Sequence, residues 1–118
     1  MDMRKRRLAV MVFVLFCALA GTRPAAAQGL EWVKANYTKH EYTIPMRDGV
    51  RLFTAVYIPK DRSERYPILL LRTPYSVAPY GPDQYREGLS PAELLGKEKY
   101  IFVYQDVRGR WMSEGQFE

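Results

Sequence analysis

The chain has 118 residues, a single cysteine and a formal net charge of +5 at pH 7. One cysteine cannot form an internal disulfide, and the length allows one small domain. Five of the 18 basic residues but only one of the 13 acidic residues precede Gln28, so residues 28–118 carry 13 basic and 12 acidic side chains. That balance, a net of +1, argues against nucleic acid or an anionic membrane surface as a partner.

Residues 1–27 have the pattern of a secretory signal peptide. Arg4 to Arg7 form a basic region, Leu8 to Ala20 form an apolar core, and Ala25 to Ala27 supply the small residues of a cleavage site. The core is shorter than the roughly 20 apolar residues that a membrane-spanning helix needs. We therefore predict cleavage after Ala27, export to the periplasm or the extracellular space, and no stable membrane anchor.

The first elements of the exported part, residues 28–118, form a predicted β-hairpin after a polar and aromatic lead-in. His40 to Met46 and Val50 to Ile58 are extended segments, and Arg47-Asp48-Gly49 separates them. An Asp-Gly pair between such segments is a strong hairpin signal, because both residues tolerate a positive φ angle. Pro59 is expected to end the second strand, since proline cannot donate to a strand ladder.

The next segments predict a strand, a helix and a second strand parallel to the first. Pro67 to Leu71 and Tyr100 to Asp106 are apolar runs without alternation, which is typical of strands covered on both faces. Between them, Ser90 to Glu93 has the spacing of a capping box, which predicts a helix from Pro91 to about Lys99. Such a crossover is right-handed. The predicted fold class is α/β, with an antiparallel hairpin leading into a parallel sheet.

Three blocks of this sequence also match a known family. Pro45 to Leu52, Pro67 to Tyr75 and Gln105 to Phe117 occur in the family's order and at its spacings. Over residues 37–118 the chain resembles the N-terminal part of the X-Pro dipeptidyl-peptidase, cocaine esterase and α-amino-acid ester hydrolase family of serine hydrolases. The resemblance implies the first four strands of an α/β-hydrolase domain.

The resemblance also implies an activity. Members of the family cleave ester or X-Pro peptide bonds of small substrates by acyl transfer, and no cofactor or metal is expected. Their Ser-Asp-His triad would follow Glu118, so we expect residues 1–118 to be inactive alone. Ester or X-Pro peptide preference stays open, as does the oligomeric state.

Tyr75 is the one catalytic position that the resemblance carries over. In the family, the tyrosine that ends this turn points its hydroxyl into the oxyanion hole, beside a backbone N–H that follows the nucleophile. A phenol keeps its proton at neutral pH and can donate to an oxyanion. Pro74 fixes the backbone just before the tyrosine. From the pattern alone, a packing tyrosine on a proline turn is the simpler interpretation, and only the resemblance favours catalysis.

Charged residues close the two predicted parallel strands. Arg72 and Asp106 end neighbouring strands about 4.8 Å apart, so we predict an ion pair at the base of the site. Two independently solvated side chains are the alternative, because exposed pairs contribute little to stability. Arg108, Gly109 and Trp111 are expected to shape the following loop rather than to contact substrate.

Three further candidates are set aside. Ser90 lies in a sequence that looks like a nucleophile elbow, but Pro91 lacks the N–H that its oxyanion hole would need, so Ser90 is predicted to cap a helix. His40 is the only histidine and precedes every candidate serine, against the order Ser, Asp, His of this fold. Tyr80 and Tyr85 could line a substrate pocket, although surface packing is the simpler interpretation.

Another class of function stays open, namely a small secreted module that binds a partner without chemistry, or a degenerate hydrolase remnant. Two strands that are apolar on both faces need cover on both sides, and only one helix is predicted to supply it. Open apolar strand edges also promote aggregation. These requirements count against an independent module.

Overall fold

The structure is a computed structural model that describes residues 25–89 and 98–118. Its elements in chain order are a helix and four strands: α1 (Ala25–Asn36), β1 (Tyr37–Pro45), β2 (Arg51–Pro59), β3 (Ile68–Thr73) and β4 (Ile101–Asp106). The basic region and apolar core of the predicted signal peptide, the predicted cap Ser90 and most of the predicted helix from Pro91 lie outside the described residues.

The four strands form one mixed sheet in the order β1-β2-β4-β3. β1 and β2 pair antiparallel with Pro45 opposite Arg51, which confirms the predicted hairpin. β3 and β4 pair parallel with Thr73 opposite Asp106, which confirms the predicted parallel neighbours. β4 also pairs antiparallel with β2, so it lies between the hairpin and β3.

The hairpin turn uses its Asp-Gly pair as the sequence predicts. Gly49 has a φ angle of 85°, a left-handed conformation that costs glycine little. The amide of Gly49 donates to the Met46 carbonyl at 3.0 Å, and the amide of Met46 donates to the Val50 carbonyl at 2.8 Å. The Asp48 side chain accepts from the Val50 amide at 3.2 Å, which closes the turn locally.

The lead-in before the hairpin is more regular than the sequence indicates. Helix α1 runs to Asn36, and β1 begins at Tyr37, three residues before the predicted start at His40. Val33 is only 1% exposed, so the helix is held by burial of one apolar side chain rather than by a clear periodic pattern. The predicted cleavage site after Ala27 falls in the first turn of α1. Among the described residues, no helix has the length and apolarity to span a membrane.

The hydrophobic core lies against one face of the sheet. β2 contributes three buried side chains to the core face, those of Phe53, Ala55 and Tyr57. Tyr57 meets Tyr104 of β4 edge to face, with ring centroids 5.8 Å apart. The remaining buried members come from α1, β1, β4 and the loop after β3: Val33, Tyr37, Val77, Leu89 and Phe102.

β3 lies at an edge of the sheet, and its apolar side chains are exposed. Ile68, Leu69, Leu70 and Leu71 are 63%, 36%, 56% and 52% accessible. Within the described residues, β4 is fully covered on the face of Phe102, Tyr104 and Asp106 and only partly covered on the other face, and β3 is covered on neither face. Among the described strands, β3 has β4 as its one hydrogen-bonded neighbour, so this part of the sheet has the apolar edge that the sequence predicts.

Candidate active site

Tyr75 lies on a tight turn directly after β3. The backbone amide of Tyr75 donates to the Thr73 hydroxyl at 3.1 Å, and Ser76 follows in a left-handed conformation with φ of 79°. The Tyr75 side chain is 86% exposed, so its hydroxyl is free to meet a ligand. The turn stands where the carboxyl ends of β3 and β4 meet, and open α/β sheets build their binding sites at such ends.

Asp106, the last residue of β4, receives donors from both loops that leave this end of the sheet. It is fully buried. One carboxylate oxygen accepts from the Val77 amide at 3.0 Å, and the other accepts from the Tyr80 hydroxyl at 2.8 Å. The Met112 amide approaches the second oxygen at 3.4 Å. Burial, and less strongly the Asp106 carboxylate, raises the pKa of Tyr80, so its hydroxyl remains a donor at neutral pH.

The predicted ion pair between Arg72 and Asp106 is wrong. The parallel register places Arg72 opposite Gln105 and Thr73 opposite Asp106. Because successive side chains point to opposite faces of a strand, Arg72 and Asp106 lie on different faces of the sheet. Arg72 instead donates through Nε to the Gln105 side-chain oxygen at 2.7 Å. A shift of one residue in register is enough to turn a predicted pair into two unrelated side chains.

The loop after β4 folds back onto the hairpin. Ser113 donates its hydroxyl to the Asp106 carbonyl at 2.7 Å and accepts from the Phe53 amide at 2.8 Å. Arg108 pairs with Asp48 of the hairpin turn at 2.8 Å, which supports the structural role expected of it. Gly109 has φ of 70°, and a Cβ there would lie 2.1 Å from the Phe117 nitrogen, so the loop leaves no space for a side chain.

Trp111 connects this loop to the turn that carries Tyr75. Its indole N–H donates to the Pro74 carbonyl at 2.9 Å, and its ring is 62% exposed. The Trp111 backbone has φ of 51°, which is unfavourable for a residue with a side chain. The structural role expected for Trp111 is therefore supported. Its partner is the Pro74 carbonyl, directly before Tyr75.

Lys39 anchors the loop that follows this turn. Its ammonium lies 2.7, 2.9 and 2.8 Å from the carbonyl oxygens of Pro79, Gly81 and Gln84. The Glu41 carboxylate is 2.7 Å from the same nitrogen, and the Lys39 side chain is fully buried. The sequence reasoning missed this residue because the predicted strand began at His40. A strand starting at Tyr37 would have placed Lys39 on the inward-facing side.

The remaining tyrosine and histidine candidates pack as structural residues. Tyr80 and Tyr85 lie against the core, and Tyr85 accepts from the Lys39 amide through its hydroxyl at 3.1 Å. His40 stacks on Tyr42, with ring centroids 6.2 Å apart on the outer strand β1. Residues 25–89 and 98–118 contain no cluster of three or more side chains suited to hold a metal ion.

Comparison with known proteins gives this geometry a family. The family model of the X-Pro dipeptidyl-peptidases (S15 family) matches residues 48–118, which include β2, β3, β4 and Tyr75. The chain belongs to the X-Pro dipeptidyl-peptidase (S15) family. The matched range includes both the turn of Tyr75 and the loop of Trp111.

Individual proteins are also similar to this chain in sequence and in structure. The chain is 36% identical over 88 residues to cocaine esterase of Rhodococcus sp. (strain MB1 Bresler). This alignment covers 72% of the present chain and 14% of the esterase. A solved structure of an α-amino acid ester hydrolase, labelled with selenomethionine, superposes with a TM-score of 0.58 at 38% identity. An aminopeptidase from the marine sediment archaeon Thaumarchaeota archaeon gives a TM-score of 0.58 at 41% identity.

These relatives are much longer than the present chain. Each of the two solved structures is matched over 70% of this chain and 14% of its own length. The sheet described above therefore corresponds to one part of an α/β-hydrolase fold, as the sequence predicts. What the site can contribute chemically is one exposed phenol on a constrained turn. Its neighbours Asp106 and Trp111 hold that turn and leave the phenol free.

Proposed function

We propose that this chain contributes the first strands and one oxyanion-hole donor to a serine hydrolase that cleaves ester or X-Pro peptide bonds. The observation that carries the proposal is the position of Tyr75, an exposed phenol at the carboxyl end of a parallel strand pair. Relatives that bear the names of an esterase, an ester hydrolase and an aminopeptidase support both bond types.

In this proposal the Tyr75 hydroxyl acts on the tetrahedral intermediate. A serine attacks the scissile carbonyl, and the carbonyl oxygen becomes an oxyanion that needs hydrogen-bond donors. The Tyr75 hydroxyl is one donor, and a backbone N–H after the nucleophile is the second. A single donor of this kind contributes about 3–4 kcal/mol to the stability of the transition state. We place the serine, the acid and the histidine base in the part of the protein that follows Glu118.

The exposed edge of β3 supports the same proposal. Ile68, Leu70 and Leu71 are each more than half exposed, although a strand of this composition normally lies inside a sheet. A further parallel strand of a hydrolase domain would cover this edge and satisfy its free backbone groups. The same strand would bring a nucleophile to the carboxyl end of the sheet, beside Tyr75.

Replacement of Tyr75 by phenylalanine tests the proposal in the complete protein expressed from its gene. Tyr75→Phe is expected to lower kcat about 100- to 1000-fold, because one oxyanion donor is lost. The melting temperature should stay unchanged, since the side chain is 86% exposed. The assay follows hydrolysis of p-nitrophenyl esters and of X-Pro p-nitroanilides, which also identifies the preferred bond.

Tyr42→Phe is the matched control, because Tyr42 is an exposed tyrosine on β1. It should leave kcat within twofold of the parent. An unchanged kcat in Tyr75→Phe would remove Tyr75 from the mechanism. Resistance of the active protein to a sulfonyl fluoride that modifies catalytic serines would argue against the serine mechanism itself.

Export completes the proposed function. The basic region, apolar core and alanine run before Gln28 support cleavage after Ala27 and release outside the cytoplasm. N-terminal sequencing of the protein from the periplasmic or extracellular fraction should then begin at Gln28. A cytoplasmic protein that retains residues 1–27 would contradict export.

A further inference from the structure

We propose that Asp106 and Trp111 are positioning residues that hold the turn of Tyr75 in its active geometry. This inference rests on the proposed role of the Tyr75 hydroxyl and extends it to residues that do not touch the reacting atoms. The turn has three supports: the Thr73 hydroxyl within it, the Trp111 indole before it and the Asp106 carboxylate after it.

The Asp106 carboxylate is buried without a cationic partner among the described residues, and it is satisfied by donors instead. A buried carboxylate is tolerated only when hydrogen bonds from the protein replace those it would make with water. Each donor to Asp106 is therefore held in place by a strong hydrogen bond. Val77 comes two residues after Tyr75, and its amide donates to this carboxylate at 3.0 Å. Asp106 therefore fixes the chain immediately after the catalytic tyrosine.

Tyr80 adds a second connection from Asp106 to the same turn. Its hydroxyl donates to Asp106 at 2.8 Å and lies 3.0 Å from the hydroxyl of Ser76, the residue next to Tyr75. Ser76 has φ of 79°, so its backbone needs outside support to remain in that conformation. Loss of the Asp106 carboxylate would release Val77 and Tyr80 together.

Trp111 fixes the peptide on the other side of Tyr75. Its ring is 62% exposed, so burial does not account for a tryptophan at this place. Its backbone is left-handed, with φ of 51°, where glycine would be less strained. What the tryptophan adds is the indole N–H that donates to the Pro74 carbonyl at 2.9 Å. The donor is exposed, so its removal tests positioning without disturbing the core.

A double-mutant cycle with Tyr75→Phe separates positioning from general stability. In the complete protein, Asp106→Asn is expected to lower kcat about 100-fold, the scale of a 1 Å misplacement, with KM within twofold. Trp111→Phe is expected to lower kcat about fivefold, which corresponds to one lost neutral hydrogen bond. In the Tyr75→Phe background both substitutions should leave kcat within twofold, because the hydroxyl that they position is gone.

Matched controls carry the same chemical changes away from the turn. Asp61→Asn removes a carboxylate that pairs with Lys99, and Trp32→Phe removes the other indole N–H of the chain. Both should leave kcat within twofold. Equal losses from Asp106→Asn in the two backgrounds, or no loss in either, would overturn the inference. If the Asp106→Asn protein fails to fold, the same comparison of the two backgrounds is made with Trp111→Phe.

Hydrogen exchange provides a readout that does not depend on catalysis. Asp106→Asn is expected to accelerate amide exchange in residues 74–80 at least tenfold while leaving exchange in the β1–β2 hairpin unchanged. If Tyr75→Phe leaves kcat intact, the proposed function fails, and this measurement alone decides whether Asp106 positions the turn. A uniform acceleration across the sheet, or none, would overturn the inference.

Discussion

At the scale of single residues, Lys39 shows how a charged side chain is kept inside this small sheet. Its ammonium has donors enough for three carbonyl oxygens, and Glu41 supplies the opposite charge at 2.7 Å. All three carbonyls belong to one loop, residues 79–84. The lysine therefore supplies hydrogen-bond donors to the carbonyl groups of a loop that has no regular secondary structure.

Lys39→Met is expected to destabilise the complete protein by about 3–5 kcal/mol. Methionine fills most of the space, but it removes the buried ammonium that donates to three loop carbonyls, and it leaves the Glu41 carboxylate without its cationic partner. Urea unfolding followed by circular dichroism measures the loss. Lys34→Met is the control, because Lys34 lies on the exposed side of α1 and should change stability by less than about 0.5 kcal/mol. A similar effect of both substitutions would contradict the assigned role.

The residues of the site differ in how far sequence could reveal them. Tyr75 is a candidate only through the family resemblance, and the structure places it on the turn that follows β3. Asp106 was recognised as a strand end, but its partners were not, because they depend on the register of β3 against β4 and on a loop without regular structure. Lys39 lies just before the predicted strand, and its partners belong to a loop about forty residues away in the chain, so no local pattern marks it.

At the scale of elements, the loop after β4 is held by charge as well as by the backbone. The Glu114 carboxylate accepts from the Arg51 guanidinium at 2.8 Å and from the Arg51 amide at 3.0 Å. The Arg51 hydrogen bond holds the pKa of Glu114 below its ordinary value of 4.5. The contact joins the loop of Trp111 to the first residue of β2.

This contact predicts an acid-dependent loosening of the loop. Because the folded pKa of Glu114 is lowered, its stabilisation is complete above the ordinary value of 4.5 and is lost as pH falls through the lower folded pKa. The indole N–H resonance of Trp111 should therefore shift with a midpoint below pH 4.5, and Glu114→Gln should abolish that transition. Glu31→Gln, on the exposed side of α1, should preserve it. The same midpoint in Glu114→Gln would assign the transition to another group.

Strands were easier to predict than the helix that precedes them. β2 is rich in β-branched and aromatic residues and ends at a proline, so its presence and its end are predicted locally. α1 has a glycine near its start and only three large apolar side chains, and the burial of Val33 beside Tyr37 of β1 is what its sequence does not reveal. The position of β4 between β2 and β3 depends on long-range pairing that no local pattern records.

At the scale of the whole molecule, the exposed β3 predicts that residues 28–118 will not fold cooperatively when expressed alone. One edge of the sheet presents four apolar side chains with free backbone groups beside them. Thermal unfolding of this fragment should be broad, and its NMR spectrum should be poorly dispersed. A sharp two-state melt with a well-dispersed spectrum would favour the alternative function, an independent secreted binding module.

The strand order also has a consequence for synthesis on the ribosome. β3 is translated before β4, its hydrogen-bonded neighbour in the described part of the sheet, and residues 74–100 separate the two. At about 5–20 residues per second, β3 spends seconds outside the tunnel without a neighbour. Until β4 is synthesised, the edge of β2 that pairs with β4 also has no partner. The order of translation is therefore not the order of assembly, because β3 is joined to the hairpin only when β4 enters between them.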